Sequence, residues 1–386
     1  MSKLEELIQQ LCPDGVEYKR LGDVLVIKNG RDYKSFKSGN VPVYGSGGIM
    51  AYIDTAVYDK PSVLIPRKGS LEKLYYVDKP FWNVDTIFYT EINTELVCPK
   101  FVYYWLAKQH LERLNKAGGV PSLTQAVLNK VTIPVPPLEI QREIVRILDN
   151  FTELTAELTA ELTAELTARK KQFQFYHKQF FEFKKSDCIQ IVCIKDICEL
   201  LTGYPFDSSQ FTATGIHLLR GMNIKRGILD YSESNNRYWN SVQGYEKFLL
   251  STDDIVIAMD GSLVGKSYAQ VKSNHLPSLL VQRVTRVRVT KANAHYIYHY
   301  ISSGAFTRYV EKKKTGGAVP HISLKDIANF KIPLPSENMQ KEIADSLDRF
   351  DALCNDLTSG LPAEIAARQK QYEYYRDKLL TFKKRS

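Results

Sequence analysis

No apolar run in the 386 residues approaches the roughly 18 that a membrane-crossing helix needs. The N-terminal MSKLEELIQQL carries charges throughout and lacks the apolar core of a signal peptide. Cysteines are few: they stand at 12, 98, 188, 193, 198 and 354, and none forms a Cys-x-x-Cys pair. That argues against a disulfide framework or zinc ribbon and fits a reducing cytoplasm. Catalytic signatures are missing as well. The only Pro-Pro is Pro136-Pro137, with no Asn or Asp before it, so the tetrad of an amino-methyltransferase is absent. No set of clustered carboxylates followed by lysine suggests a nuclease, and no Ser/His/Asp or Cys/His grouping can be assembled. Acid is in deficit, with 43 Asp and Glu against 52 Lys and Arg, a net charge of +9 and a pI near 9.0. A polyanionic partner is the corresponding expectation.

Glycine and proline are also absent from Thr152 to Lys185, where the chain instead repeats Thr-Ala-Glu-Leu. Leu154, Leu158, Leu162 and Leu166 recur every four residues. On an α-helix they form one stripe drifting about 40° per unit. The composition is that of a stiff spacer, since a flexible linker would be rich in Gly and Ser. Glutamates repeating at i,i+4 repel mildly, so a partner helix is expected to hold the stripe.

The chain supplies a candidate partner by repeating itself. A shift of 199 residues lays Ile133-Pro134-Val135-Pro136 on Ile332-Pro333-Leu334-Pro335, and Gln141-Arg142-Glu143-Ile144 on Gln340-Lys341-Glu342-Ile343. The register continues through Leu148-Asp149 on Leu347-Asp348, Leu158 on Leu357, and Phe183-Lys184-Lys185 on Phe382-Lys383-Lys384. The sequence is an internal duplication with a helical segment closing each half. The fold class predicted is α+β: two duplicated, mixed, β-rich modules joined by two long antiparallel coiled-coil helices. The expected boundaries are 1–137 for the first module with its N-terminal helix and 138–185 for the central spacer helix. The second module takes 186–336 and the C-terminal spacer helix 337–386. Leu361 joins Leu357 and the four repeat leucines as a helix-packing residue. Pro362 removes a helical donor, so the C-terminal arm is expected to bend or to divide.

Within the modules similarity falls to short echoes. Gly69-Ser70-Leu71 matches Gly261-Ser262-Leu263, and Phe101-Val102-Tyr103-Tyr104 matches Tyr296-Ile297-Tyr298-His299. The run from Gly261 to Ser267 resembles a phosphate-binding loop but has three residues between its glycines instead of four. A Gly-Ser turn presenting Lys73 or Lys266 to a phosphate or base edge is favoured, with a plain hairpin turn as the alternative. His295 and His299 have the spacing of two zinc ligands, yet no third ligand follows, so an ordinary helix surface is expected. Lys312-Lys313-Lys314 is open between phosphate contact and solubility. Basic residues with polar and aromatic neighbours recur in both modules. Candidate DNA contacts are Tyr44, Ser46, Arg67, Lys68, Ser70 and Lys73 in the first. In the second they are Arg220, Asn223, Lys225, Ser262, Lys266 and Arg283, with Arg286 and Arg288 in the same basic set. Such residues supply affinity at phosphates and choice at groove edges.

Taken together, the Ile-Pro-x-Pro-x(4)-Gln-x-Glu-Ile exits at 133–144 and 332–343, the repeats and the run Leu361-Pro362-Ala363-Glu364-Ile365-Ala366-Ala367-Arg368 resemble a known family. It is the specificity subunit of type I restriction–modification enzymes, in its TAEL-repeat subgroup. The resemblance covers nearly the whole length. It implies a non-catalytic subunit whose modules each read half of a bipartite, asymmetric site in double-stranded DNA. The two helices would set half-site spacing and dock two modification (methyltransferase) subunits, through which restriction/translocase subunits join. No cofactor would be bound by this chain; S-adenosylmethionine, ATP and Mg would belong to the partners. The competing expectations are a stand-alone bipartite DNA-binding regulator and a coiled-coil scaffold.

Overall fold

A computed structural model describes residues 3–115, 121–183, 189–315, 320–355 and 359–385. The Gly-Gly segments 117–119 and 316–317, and the proposed packing residue Leu357, lie outside them. The helices used below are α1 (Lys3–Leu11), α2 (Pro99–Lys108), α3 (Leu138–Gln179), α4 (Ala294–Tyr300), α5 (Glu337–Asn355) and α6 (Leu361–Leu379). The chain divides into two compact units that do not follow linear order. The first is Met1–Leu162 with Ile365–Ser386, and the second is Thr163–Glu364.

The two units share one topology. In the first, strands Leu25–Asn29, Ile87–Ile92, Ser62–Pro66 and Tyr75–Val77 make a four-stranded antiparallel sheet in that order. Gly48–Ile53, Ser38–Gly45 and Trp82–Asn83 make a three-stranded sheet, its last pair parallel. In the second, Cys198–Thr202, Val284–Val289, Ile255–Ala258 and Tyr268–Gln270 repeat the four-stranded order. Tyr238–Trp239, Ile216–Leu219 and Ser278–Leu280 repeat the three-stranded one, again ending in a parallel pair. The strands Ser62–Pro66 and Ile255–Ala258 are buried along their whole length, which explains their unbroken apolar character.

The Pro-rich exits have a structural reason. Thr132–Pro134 pairs with Tyr18–Arg20, and Lys331–Leu334 with Gln190–Cys193, closing each unit at its base. Proline is tolerated there because two-stranded sheets have free edges. The next turn carries the motif glutamine. Gln141 is fully buried; its Nε2 donates to the carbonyls of Leu96 (2.9 Å) and Pro136 (2.7 Å), and its Oε1 accepts the Cys98 amide at 2.7 Å. Gln340 repeats the pin: its Oε1 accepts the Asn293 amide at 2.9 Å and its Nε2 donates to Pro335 at 2.8 Å. Cys98 and Asn293 precede α2 and α4, so one side chain ties exit strand, spacer helix and module helix together. Behind it Ile144 and Leu148, and equivalently Ile343 and Leu347, enter the two cores at helical spacing. Replacing Gln141 with Leu orphans an amide and two carbonyls. The expected loss is about 2–4 kcal/mol, read as a lower urea midpoint for the first unit with an unchanged midpoint for the second.

The spacer expectations meet a mixed outcome. α3 is one continuous 42-residue helix that spans the repeats. Its leucines are not equivalent: Leu162 is 8% exposed, Leu158 and Leu166 are half-buried, and Leu154 is 60% exposed. Leu154 is therefore corrected to a surface residue, because a four-residue repeat drifts around the 3.6-residue helix and cannot keep every leucine on one seam. The C-terminal arm is not one helix but two. α5 ends at Asn355 and α6 starts at Leu361, with Pro362 in its first turn, where a missing amide costs nothing. Gly360 receives the amides of Ala363 and Glu364, and Leu361 is buried. Within the first unit α6 lies against α3, with Thr152 Oγ1 3.0 Å from the Tyr372 hydroxyl and the Phe151 and Tyr375 rings 5.9 Å apart. Within the second, α5 lies against the last turns of α3, where Phe350 meets Phe173 at 6.4 Å and stacks on Tyr176 at 5.8 Å.

Candidate nucleic-acid interface

Each unit presents its Gly-Ser turn on the same backbone frame. In the first, the amides of Arg67 and Lys68 reach the Thr86 carbonyl at 2.9 and 3.2 Å, the Gly69 amide reaches Pro121 at 3.2 Å, and the Leu123 amide returns to Arg67 at 2.9 Å. In the second, the Met259 amide reaches Arg283 at 2.9 Å, Gly261 reaches Pro320 at 3.1 Å, and Ile322 returns to Met259 at 2.9 Å. Three of the four hydrogen bonds coincide while the side chains do not. Arg67, Lys68 and Thr86 are replaced by Met259, Asp260 and Arg283. Both turns bend through a left-handed glycine, Gly69 at φ +84° and Gly261 at φ +101°.

In the first unit this frame brings several candidates together. The Ser46 amide donates to Thr86 Oγ1 at 3.3 Å, and the Tyr75 hydroxyl donates to the Ser46 carbonyl at 3.4 Å. A Cβ on Gly69 would lie 3.3 Å from Ser46 Oγ, so the hairpin tip and the Gly-Ser turn are neighbours. Arg67 lies 5.9 Å from the Phe88 ring centre, while Lys68 faces Asp85 at 3.9 Å, too loosely to be neutralised. Lys68 and Lys73 are exposed and Ser70 is half-buried. Tyr44 is half-buried against Tyr75 and Phe81, and its packing role is evident. Ile49, Met50 and Tyr52 on the same hairpin are exposed apolar residues that a search for cations passes over.

The second unit corrects more of the basic set. Asn223 is fully buried: its Oδ1 accepts the Arg220 amide at 3.1 Å and its Nδ2 donates to the carbonyls of Asp230 and Asn235 at 2.9 and 3.2 Å. It shapes a loop and has no surface to offer DNA. Arg220 donates to the Asn235 carbonyl at 2.6 Å, and burial with Arg237 alongside lowers its pKa. Arg283 is exposed but paired with Asp260 at 2.9 Å, in a left-handed conformation at φ +65°. Arg286 is buried, and Arg288 grips the buried Asp254 through two 2.7 Å hydrogen bonds, so both brace the sheet. Lys225, Ser262 and Lys266 stay exposed. The Gly-Ser echo slips by one residue, because Val264, and not Leu263, fills the place of the buried Leu71. The amides of Gly261, Val264, Lys266 and Ser267 are spent on backbone carbonyls, which leaves fewer donors than a phosphate cradle uses. Lys314 pairs with Glu311 at 2.7 Å, leaving Lys312 and Lys313 exposed. Among the described residues no group of three or more His, Cys, Asp or Glu could hold a metal, and no helix is long and apolar enough to cross a membrane.

Residues 13–168 and 187–367 match the model of the type I restriction modification DNA specificity domain. A type I restriction enzyme specificity subunit of Escherichia coli is 37% identical over 298 residues, covering 74% of this chain and 71% of that protein. A putative specificity subunit of Haemophilus influenzae is 28% identical over 381 residues, covering 95% and 96%. Solved structures share the fold. The S subunit from M. genitalium gives a TM-score of 0.52 at 15% identity, covering 95% of this chain and 96% of that one. A chain from a structure of type I R-M complex assembly and conformational transition gives 0.65 at 17%, covering 95% and 97%.

Proposed function

The chain belongs to the type I restriction modification DNA specificity family, and from that premise we propose that each unit reads one half of a bipartite, asymmetric sequence in double-stranded DNA. One observation carries the reading. The same Gly-Ser frame occurs twice, yet Arg67 and Lys68 on one copy become Met259 and Asp260 on the other. A duplicated scaffold with unlike side chains at equivalent points suits two different half-sites, since donors and acceptors at groove edges decide the base accepted. In the first unit Arg67, Lys68, Ser70 and Lys73 are the contacts, with Ser46 at the neighbouring tip and Met50 and Tyr52 available to thymine methyls. In the second they are Lys225, Ser262 and Lys266, while Asp260 holds Arg283 in place.

The chain is a recognition subunit and performs no catalysis. Adenine methylation belongs to two modification subunits using S-adenosylmethionine, and cleavage to restriction/translocase subunits using ATP and Mg, all in the cytoplasm. Phe175 on α3 and Tyr374 on α6 are exposed aromatics suited to covering by such partners. The helices set the spacing between half-sites.

Mapping methylated adenines in cells carrying single variants tests the assignment. Arg67→Ala and Lys68→Ala should relax or weaken the half-site of the first unit alone, and Lys225→Ala and Lys266→Ala that of the second. A base contact is worth about 1–3 kcal/mol, whereas a lost phosphate contact weakens all sequences alike and reduces the salt slope by about one. An Arg67→Ala change that altered the other half-site would refute the assignment.

A further inference from the structure

His295 and His299 are not the ordinary helix surface their spacing suggests. Both turn onto one carboxylate of α5: His299 Nε2 is 2.8 Å from Asp348 Oδ1, and His295 Nδ1 is 2.6 Å from Asp348 Oδ2. The second contact is an ion pair out of line for a good hydrogen bond. The other nitrogen of His295 faces a further carboxylate, Asp253 Oδ1, at 3.2 Å. A neutral imidazole has one N–H and would turn a lone pair toward one of these carboxylates. Only the imidazolium suits both. His299 is 2% exposed while Asp348 is 39% exposed, so the contact is buried on the histidine side and open to solvent on the carboxylate side.

The first unit builds the same joint from other chemistry. Asp149, the duplicate of Asp348, is 2.8 Å from Lys100 Nζ and accepts the Tyr104 hydroxyl at 2.8 Å. In both units two residues four apart on the module helix clamp one carboxylate of the spacer helix. Ammonium and phenol groups ordinarily titrate near pH 10, and imidazole near 6.5.

We propose that Asp348, held by His295 and His299, is a positioning residue that seats the second recognition unit on its helix in a proton-dependent way, whereas the Lys100–Tyr104–Asp149 joint seats the first unit without pH dependence near neutrality. This deepens the reading of the second unit as a DNA-reading module and rests on it for its consequence at the half-site. The groups facing the clamp are Asp253 from the turn before strand Ile255–Ala258, Asp348 and Asp351 from α5, His177 from α3, Arg226 from the loop beside it, and Tyr298 on α4 itself.

The close Asp348 carboxylate raises the His295 pKa above 6.5 against the opposing effect of burial, and the Asp253 charge adds to the rise. The stabilisation is thus complete below about pH 6.5 and is lost as pH rises through the raised value. His177 acts in the opposite direction up to about neutral pH. Burial, then the charges of His299 and Arg226, lower its pKa to about 4. It is neutral in the folded unit from pH 6 upward but takes up a proton on release below about pH 7, so its opposing slope fades only above about pH 7.5.

Hydrogen exchange of the full chain, purified with its modification subunits and without DNA, tests the clamp between pH 6.0 and 8.5. After correction for intrinsic rates, protection of 294–300 should fall by up to about tenfold per pH unit between about pH 6.5 and the raised value and level off above it, while 99–108 stays level. Asp348→Asn should bring the pH 6.0 protection of 294–300 down to its high-pH level. The double change His295→Lys with His299→Tyr, borrowing the first unit's residues, should keep protection and flatten the profile. A wild-type profile with no fall above pH 6.5, or a fall with rising pH that survives in both variants, would overturn the clamp. Loss of all DNA binding by the intact complex would instead overturn the DNA-reading assignment and leave the exchange result standing.

Discussion

Truncating the chain after Leu379 unfolds the first unit and leaves the second folded. Residues 380–385 are distant in sequence from the N-terminus but belong to its core. Leu380 is fully buried among Leu4, Leu21, Phe101 and Ile140, and Phe382 packs on Phe101 at 6.3 Å. The Val16 amide donates to Lys383 at 2.8 Å and the Arg385 amide returns to Val16 at 2.9 Å. The Tyr18 hydroxyl donates to the Phe382 carbonyl at 3.2 Å. Gly15 permits this approach, since a Cβ there would lie 2.7 Å from the Lys383 carbonyl oxygen. Emptying the Leu380 site alone removes about 2–5 kcal/mol, and each lost hydrogen bond about 1 more. Against a usual margin of about 5–15 kcal/mol, the sum consumes most of the stability of one unit. Limited proteolysis should cut the truncated chain within 3–115 and spare 189–315. Equal resistance of both halves would show that the tail is dispensable.

Features carried by local periodicity or by an exact repeat were legible in the sequence. The exit motif with its duplicated glutamines and the continuous helix over the repeats follow from spacing within a few residues, while the hydrogen bonds that make Gln141 and Gln340 into pins do not. Features decided by a distant partner were not. Arg288 reads as a surface cation until Asp254, 34 residues earlier, is found gripping it across the sheet. Asn223 reads as a groove contact, yet three hydrogen bonds to its own loop bury it. The histidine pair reads as ordinary helix surface because its partner lies on another helix 49 residues away, although its duplicate Lys100–Tyr104–Asp149 stands in the same register. The Gly-Ser turns were found at the right places, but a one-residue insertion exchanges Leu263 for Val264 as the buried anchor. Ile49, Met50 and Tyr52 read as core because apolar residues on a strand signal burial, whereas the hairpin leaves them exposed.

Deleting Thr155–Leu158 shifts the unspecified spacer of the recognised site by about one base pair and leaves both half-sites unchanged. One repeat unit contributes about 6 Å of helix and a net turn of about 40°. B-DNA advances about 3.4 Å and roughly 35° per base pair. Translation alone would ask for nearly two base pairs per unit and rotation for one. Rotation governs, because a side chain must enter a groove at the correct azimuth, whereas a few ångströms of axial error can be absorbed by bending of the duplex. The deletion is tolerated by the helix itself: it removes one half-buried leucine and carries Leu162, the buried member of the series, into the preceding position of the same repeat. Removing only Thr155 and Ala156 behaves differently. Everything beyond turns by about 200°, which sets the buried face of Leu162 toward solvent and rotates the following module by half a turn. That variant should lose methylation at every site, while the four-residue deletion remains active with a shortened spacer. Methylome sequencing of cells carrying each deletion reads both outcomes. An active two-residue deletion, or a four-residue deletion with its spacer unchanged, would show that this helix does not measure the distance between half-sites.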